Sequence, residues 1–191
     1  YLCSMKIEIT APVGSYESLR AALEAGADSV YFGIGNLNMR SSSAVNFGQE
    51  DLANIVRLCR ESGVRAYLAL NTVVFDNEAD EVNGILQSAA NAGIDAVIAT
   101  DVSVLERSRE LGLTVHMSTQ SNITNAGAVR FFSRWADVMV LSRELSIEKV
   151  KQLHANIVQQ NICGPSGNLV RLEAFAHGAL CMAISGKCYL S

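Results

Sequence analysis

The sequence predicts an α/β fold, a TIM-barrel-like (β/α)8 architecture cut to about seven strand and helix units, on three observations. Short β-branched runs alternate with longer amphipathic stretches, glycine closes the helical stretches, and no glycine-rich phosphate turn follows the first strand. Strands are expected at 7–11, 29–32, 66–70, 96–99, 114–117, 137–141 and 169–175, each bounded by polar residues or glycine. Between them apolar residues recur at helical spacing, as with Leu19, Ala22 and Leu23 in 15–25, and Ile147, Val150, Leu153 and Ile157 in 146–159. A helix between two strands carries the chain back to a parallel neighbour.

Gly26, Gly63, Gly93 and Gly112 each follow a helical stretch and precede a strand, where a left-handed helix end suits glycine. Gly26-Ala27-Asp28 and Gly93-Ile94-Asp95 repeat this stop signal, which assigns both aspartates to the end of the fold away from chemistry. A doubly wound sheet is disfavoured, because Pro12-Val13-Gly14-Ser15-Tyr16-Glu17 is not G-x-G-x-x-G and no helix opens after Gly33-Ile34-Gly35. An ordinary barrel has eight strands and about 250 residues. With 191 residues this chain is one unit short, so its unpaired edge strands are expected to invite self-association or local disorder. The only turn-rich insertion is Cys163-Gly164-Pro165-Ser166-Gly167-Asn168, and residues 1–191 read as a single domain.

At 49% hydrophobic, 18% charged and 2 prolines, the chain buries a sizeable core. Lys+Arg 15 against Asp+Glu 19 gives a net charge of -4, so no general field for polyanions exists and nucleic acid would need a local basic patch. No apolar run approaches the roughly 20 residues of a membrane span, and Tyr1-Leu2-Cys3-Ser4-Met5-Lys6 opens no signal-peptide core; a cytoplasmic protein without a membrane partner is expected. Five cysteines, an odd number, favour reduced thiols or metal ligation over a disulfide framework.

Residues just after parallel strands share one face, where α/β barrels place their chemistry. Here they are Ser15, then Asn36, Asn38 and Arg40, then Asn71, Thr100 and Asp101, Ser118, Thr119 and Gln120, Ser142, Arg143 and Glu144, and finally His177. Ser15, Asp101 and Ser146 read as helix caps. Asn71, Gln120 and Arg40 are candidate substrate contacts, and Arg143 suits bidentate pairing with a substrate carboxylate. A structural ion pair of Arg143 with Glu144 or Glu173 is the alternative, and the residues leave both open. His116, inside a strand, reads as a barrel-interior histidine bonded to a neighbour; His154 reads as solvated. His177 stands apart, following a strand end and preceding Gly178 and Cys181. Neither G-x-S-x-G nor H-E-x-x-H occurs.

The segment from Glu173 through Phe175, His177-Gly178, Cys181, Ser185-Gly186 and Cys188 to Ser191 resembles the signature of the collagenase-like peptidases, peptidase family U-32. The resemblance extends upstream through Ala11-Pro12-Val13-Gly14-Ser15, Asn46-Phe47, Leu70-Asn71-Thr72, Ser118-Thr119-Gln120 and Leu141-Ser142-Arg143-Glu144-Leu145. It implies a barrel-like domain and one of two activities. Some members are described as collagen-degrading proteases, while others hydroxylate tRNA, rRNA or a quinone precursor without oxygen, with a 4Fe-4S cluster and, for the RNA enzymes, prephenate. The resemblance makes Cys181 and Cys188 the first two of four cluster ligands, the other two lying farther along a longer chain, and thiolates are the donors such clusters require. From the strand-end face, His177, Glu144 and Arg143 are the candidate catalytic residues. The peptidase alternative needs a peptide substrate and a nucleophilic Cys181 beside His177. An inactive scaffold is the third reading. Cys59, in a helical pattern, reads as a small buried hydrophobe, while Cys3 and Cys163 lack a partner at informative spacing.

Overall fold

Seven parallel strands stand side by side in their sequence order, each joined to the next by a helix that packs on the outer face of the sheet. The computed structural model describes residues 7–35, 37–38, 47–178 and 183–185. Strands β1 (Thr10–Pro12), β2 (Ser29–Gly33), β3 (Arg65–Leu70), β4 (Ala96–Ala99), β5 (Val115–Met117), β6 (Val138–Val140) and β7 (Arg171–Glu173) alternate with helices α1 (Tyr16–Glu24), α2 (Leu52–Glu61), α3 (Ala79–Ala92), α4 (Val102–Glu110), α5 (Ala126–Phe132) and α6 (Ile147–Gln159). The TIM-barrel-like α/β architecture expected from the sequence is therefore the observed one, with β1 and β7 as the two edges.

Strand alternation separates two apolar layers. Val30, Phe32, Leu68, Leu70, Val97, Ala99, Val115 and Met117 face the helices and form the main core with Leu19, Ile55, Leu86 and Leu105. The opposite faces of β3 and β4 contribute a small inner cluster of Tyr67, Ala96 and Ile98, packed on by Tyr31. Glycine ends the helices as expected: Gly93 caps α3 at φ 74°, and Gly26, Gly63 and Gly112 share its left-handed conformation. The aspartates after Gly26 and Gly93 are structural, since Asp28 Oδ2 accepts from the Ile9 amide at 3.0 Å and Asp95 Oδ2 from the Ala66 amide at 2.8 Å.

Two sequence expectations shift. The first strand begins at Thr10, and Ile7 and Ile9 are exposed, because at a sheet edge a β-branched residue has neighbours on one side only. Ile147 is also exposed, whereas Leu153 and Ile157 are buried: as the first residue of α6 it lies one turn before the helix meets the sheet.

Inside the curl, Glu8 ties distant strands together. Its carboxylate accepts from the Tyr67 hydroxyl, lies 2.6 Å from Arg65 Nη2 and reaches Arg171 Nη1 on β7 at 3.7 Å. Burial opposes ionisation of Glu8, but hydrogen bonds from Tyr67 and Ser29 and the charges of Arg65 and Arg171 outweigh it, holding the carboxyl below its ordinary range. Burial and the bond to Glu8 push the Tyr67 phenol up. Glu8→Gln is therefore expected to cost about 1 kcal/mol, the bonds being partly screened by solvent. A depressed carboxylate stabilises above its unfolded-state pKa and loses that contribution as pH falls through the folded-state value. Thermal unfolding should thus separate the two proteins at neutral pH and bring them together only as pH falls below the ordinary carboxylate range.

Candidate functional site

The polar strand ends form a connected ring. Asn71, after β3, donates from Nδ2 to Ser118 Oγ after β5 at 3.3 Å; Thr100, after β4, shares a 2.8 Å hydrogen bond with Ser121. Thr119 Oγ1 donates to the Leu141 carbonyl at 3.2 Å, and Ser142 Oγ, after β6, to Asn122 Oδ1 at 2.7 Å. The turn Thr119–Ser121 makes these contacts possible: Ser118 caps it by accepting from the Gln120 amide, and Asn122 leaves it at φ 50°, a left-handed conformation asparagine tolerates. Four consecutive strand ends are thus fixed around one mouth.

Ser15, Asp101 and Ser146 cap α1, α4 and α6, accepting from the amides of Ser18, Ser103 and Lys149. Asp101 also accepts from the Val74 amide at 3.2 Å, joining the loops after β3 and β4. Asn71 and Gln120 are half-buried at the mouth, and the Gln120 side chain has no hydrogen-bond partner among the described residues. Asn38 is buried, donating to the Gly35 carbonyl at 3.2 Å, and it packs so closely on Gly33 that a side chain there would collide with it. Gly33 is therefore required for loop packing. Asn36, Arg40, Cys181 and Cys188 lie outside the described residues.

Arg143 and Glu144 meet the cysteine-bearing signature directly. Ser185, wholly buried, donates from its amide to Glu144 Oε1 at 2.8 Å, while its Oγ accepts from the Arg143 amide at 3.1 Å and from Arg143 Nε at 3.4 Å. The Ser185 amide is the main cause holding the Glu144 carboxyl below its ordinary range; burial opposes it, and the Arg143 charge assists. Neither ion-pair alternative for Arg143 forms a salt bridge among the described residues: its Nε and amide go to Ser185, and Glu173 lies elsewhere. His177 is exposed, without a hydrogen bond among the described residues. His154 is exposed as expected.

Glu173 faces His116 instead. His116 is buried on β5, its ring 4.6 Å from that of Tyr67 between centroids, and its Nδ1 lies 3.4 Å from Glu173 Oε2. The expected hydrogen bond is not made: Nδ1 is sealed from solvent and lacks a hydrogen-bond partner. Sequence reasoning listed both residues without joining them. The available signal was parity, since His116 lies two residues before Ser118 and so shares its inward face.

Cys59 is buried on α2, where burial and the Asp95 charge push its thiol up to about 11, as fits a packing role. Cys163 is half-buried, with Sγ 3.8 Å from Asn161 Oδ1. Among the described residues there is no group of three or more His, Cys, Asp or Glu that could hold a metal ion. Among the same residues no helix is long and apolar enough to cross a membrane.

Comparison with known proteins gives these features a family. The profile of peptidase family U32 matches residues 14–191. A collagenase of Porphyromonas gingivalis (strain ATCC BAA-308 / W83) is 58% identical over 96% of this chain and 44% of its own length. The tRNA hydroxylation protein P1 of Bacillus subtilis (strain 168) is 31% identical over 97% of this chain and 42% of its own length. This chain therefore spans less than half the length of these relatives. A solved U32 peptidase structure superposes with a TM-score of 0.66 at 17% identity, covering 78% of this chain and 65% of that one, which shows a shared fold.

Proposed function

This chain belongs to peptidase family U32, and on that premise we propose that the whole protein is a cytoplasmic enzyme hydroxylating tRNA or rRNA without oxygen, with a 4Fe-4S cluster and prephenate. The observation that carries the reading is the anchoring of Ser185, between Cys181 and Cys188 in sequence, to Arg143 and Glu144 after β6. Ser185 is thereby held beside the polar mouth, which supports a reading in which the cysteines flanking it in sequence serve a redox centre there. Cys181 and Cys188 would hold part of the cluster, which when bound supplies one-electron redox chemistry. The chain's own residues bind and orient. Arg143 uses Nε on Ser185, and its Nη groups, without a hydrogen bond among the described residues, suit a co-substrate carboxylate. Asn71 and Gln120 offer amide groups to a base or ribose. With a net charge of -4, RNA binding on this reading would rest on a local basic patch rather than on the chain's overall field.

The 58% identity to a protein named collagenase favours peptide cleavage as the second reading. Anaerobic preparation of the whole protein separates the two. Hydroxylation predicts about four iron and four sulfide per chain, lost in Cys181→Ala and Cys188→Ala together with the hydroxylated nucleoside in the RNA. Iron-free protein after reconstitution, cleaving a collagen peptide at an undiminished rate, would replace the hydroxylase reading with the peptidase one. Neither activity would leave a scaffold.

A further inference from the structure

We propose that His116 and Glu173 are the proton-transfer pair of the barrel, His116 accepting and returning the proton and Glu173 positioning the imidazole; this deepens the site proposed above and rests on that reading. The carrying observation is the buried, unpartnered Nδ1 of His116 with a carboxylate oxygen at 3.4 Å. Buried polar atoms are nearly always satisfied, so an orphan beside an acceptor marks a bond that forms in another state of the site. Catalytic hydrogen bonds are often long or misaligned before substrate arrives and tighten in the complex.

The surroundings select Glu173 as the partner. Tyr67 on β3 packs its ring against the imidazole, and its hydroxyl donates to Glu8. Glu8 is in turn occupied by Arg65 and Arg171. The carboxylate left facing His116 is that of Glu173, from β7. Its side chain is partly exposed where that of His116 is buried, so the pair runs from the barrel interior toward solvent. Along β5, His116 lies two residues below Ser118, about 6.6 Å beneath the ring that Asn71 and Ser118 complete.

The step balances without an oxidant or reductant. A water or hydroxyl group beneath Asn71 and Ser118 gives its proton to His116 Nε2; the O–H bond breaks, the N–H bond forms, and the electron pair stays on oxygen. Nδ1–H turns to Glu173, whose negative charge offsets the imidazolium. The proton then returns from Nε2 to product or water.

The test uses the whole protein as wild type, His116→Gln and Glu173→Gln, with folding checked by thermal unfolding. Steady-state rates on RNA and on a collagen peptide are measured across pH, together with ¹⁵N resonances of labelled histidine. His116→Gln should lower kcat at least about a hundredfold, with KM within about threefold, and abolish the acidic limb of the pH profile. Glu173→Gln should lower kcat about tenfold, again with KM within about threefold, as loss of a positioning contact predicts. An unchanged acidic limb in His116→Gln overturns the proposal, as does a loss of activity that only tracks loss of folded protein. If wild-type protein hydroxylates no RNA, the functional reading fails separately. The His116 resonances still decide the pair: Nδ1 and Nε2 shifts indifferent to Glu173→Gln overturn it, and a changed Nδ1 shift, reporting a hydrogen bond lost there, supports it.

Discussion

Gly164→Ala is expected to destabilise the fold by about 2 kcal/mol, lowering Tm by roughly 4–8 °C. Gly164 lies in the loop between α6 and β7, which crosses the start of β6. A Cβ on it would sit 2.9 Å from Asp137 Cα and 3.0 Å from the Ala136 carbonyl oxygen, both backbone atoms that cannot swing aside. The same loop is pinned to Asp137, whose Oδ1 accepts from the Ser166 amide at 3.0 Å and the Ser166 hydroxyl at 2.7 Å. The Asp137 carbonyl then accepts from the Arg171 amide at 2.9 Å, starting the β6–β7 ladder. A methyl group at Gly164 therefore pushes against the joint that sets β7, and β7 carries Glu173. Gly84→Ala is the matched contrast. Gly84 lies within α3, with no atom within 4 Å of its would-be Cβ, so alanine should raise stability by up to about 1 kcal/mol. Thermal unfolding of both variants measures the difference. A Gly164→Ala protein as stable as wild type would mean the loop yields and does not position β7.

This loop marks where sequence reading stops. Its glycine and proline announced a turn, but nothing local told that Asp137, far back in the chain, would clamp it. The helix caps were legible because a cap is a contact between near neighbours: Ser15 with Ser18 and Ser146 with Lys149 each span three residues. The order of strands followed from alternation, and the polar mouth from the rule that strand ends share a face. Glu8 was missed, since its partners Tyr67, Arg65 and Arg171 come from strands that only the curl of the sheet brings together. His116 and Glu173 were visible singly, and only the curvature of the sheet makes them neighbours. Arg143 and Glu144 drew attention as polar residues at a strand end. Their hydrogen bonds to Ser185 were hidden because a backbone amide and a small hydroxyl carry no signature at that distance along the chain.

Releasing Ser185 is expected to cost activity rather than fold. Glu144→Ala removes the acceptor of the Ser185 amide, and Ser185→Ala removes the oxygen that accepts from the Arg143 amide and Nε. Each loses a contact worth about 1 kcal/mol, a charge-assisted bond discounted for an exposed carboxylate. That is too little to unfold a domain whose core lies on the other side of the sheet, and enough to open a local segment. Cys181 lies four residues before Ser185 and Cys188 three after, so chain reach alone keeps both within about 15 Å of the anchor while it holds. On the proposed reading, the anchor is what would hold the signature in place relative to Asn71, Ser118 and Gln120. In the whole protein both variants should therefore lower kcat at least about tenfold, leave Tm nearly unchanged, and accelerate amide exchange at Ser185. The depressed Glu144 carboxyl adds a pH signature. Its contribution is complete above the unfolded-state pKa and is lost as pH falls through the folded-state value, so wild-type exchange at Ser185 should approach that of Glu144→Ala only in acid. Full activity in both variants, with Ser185 exchanging freely, would show that the anchor does not position the signature.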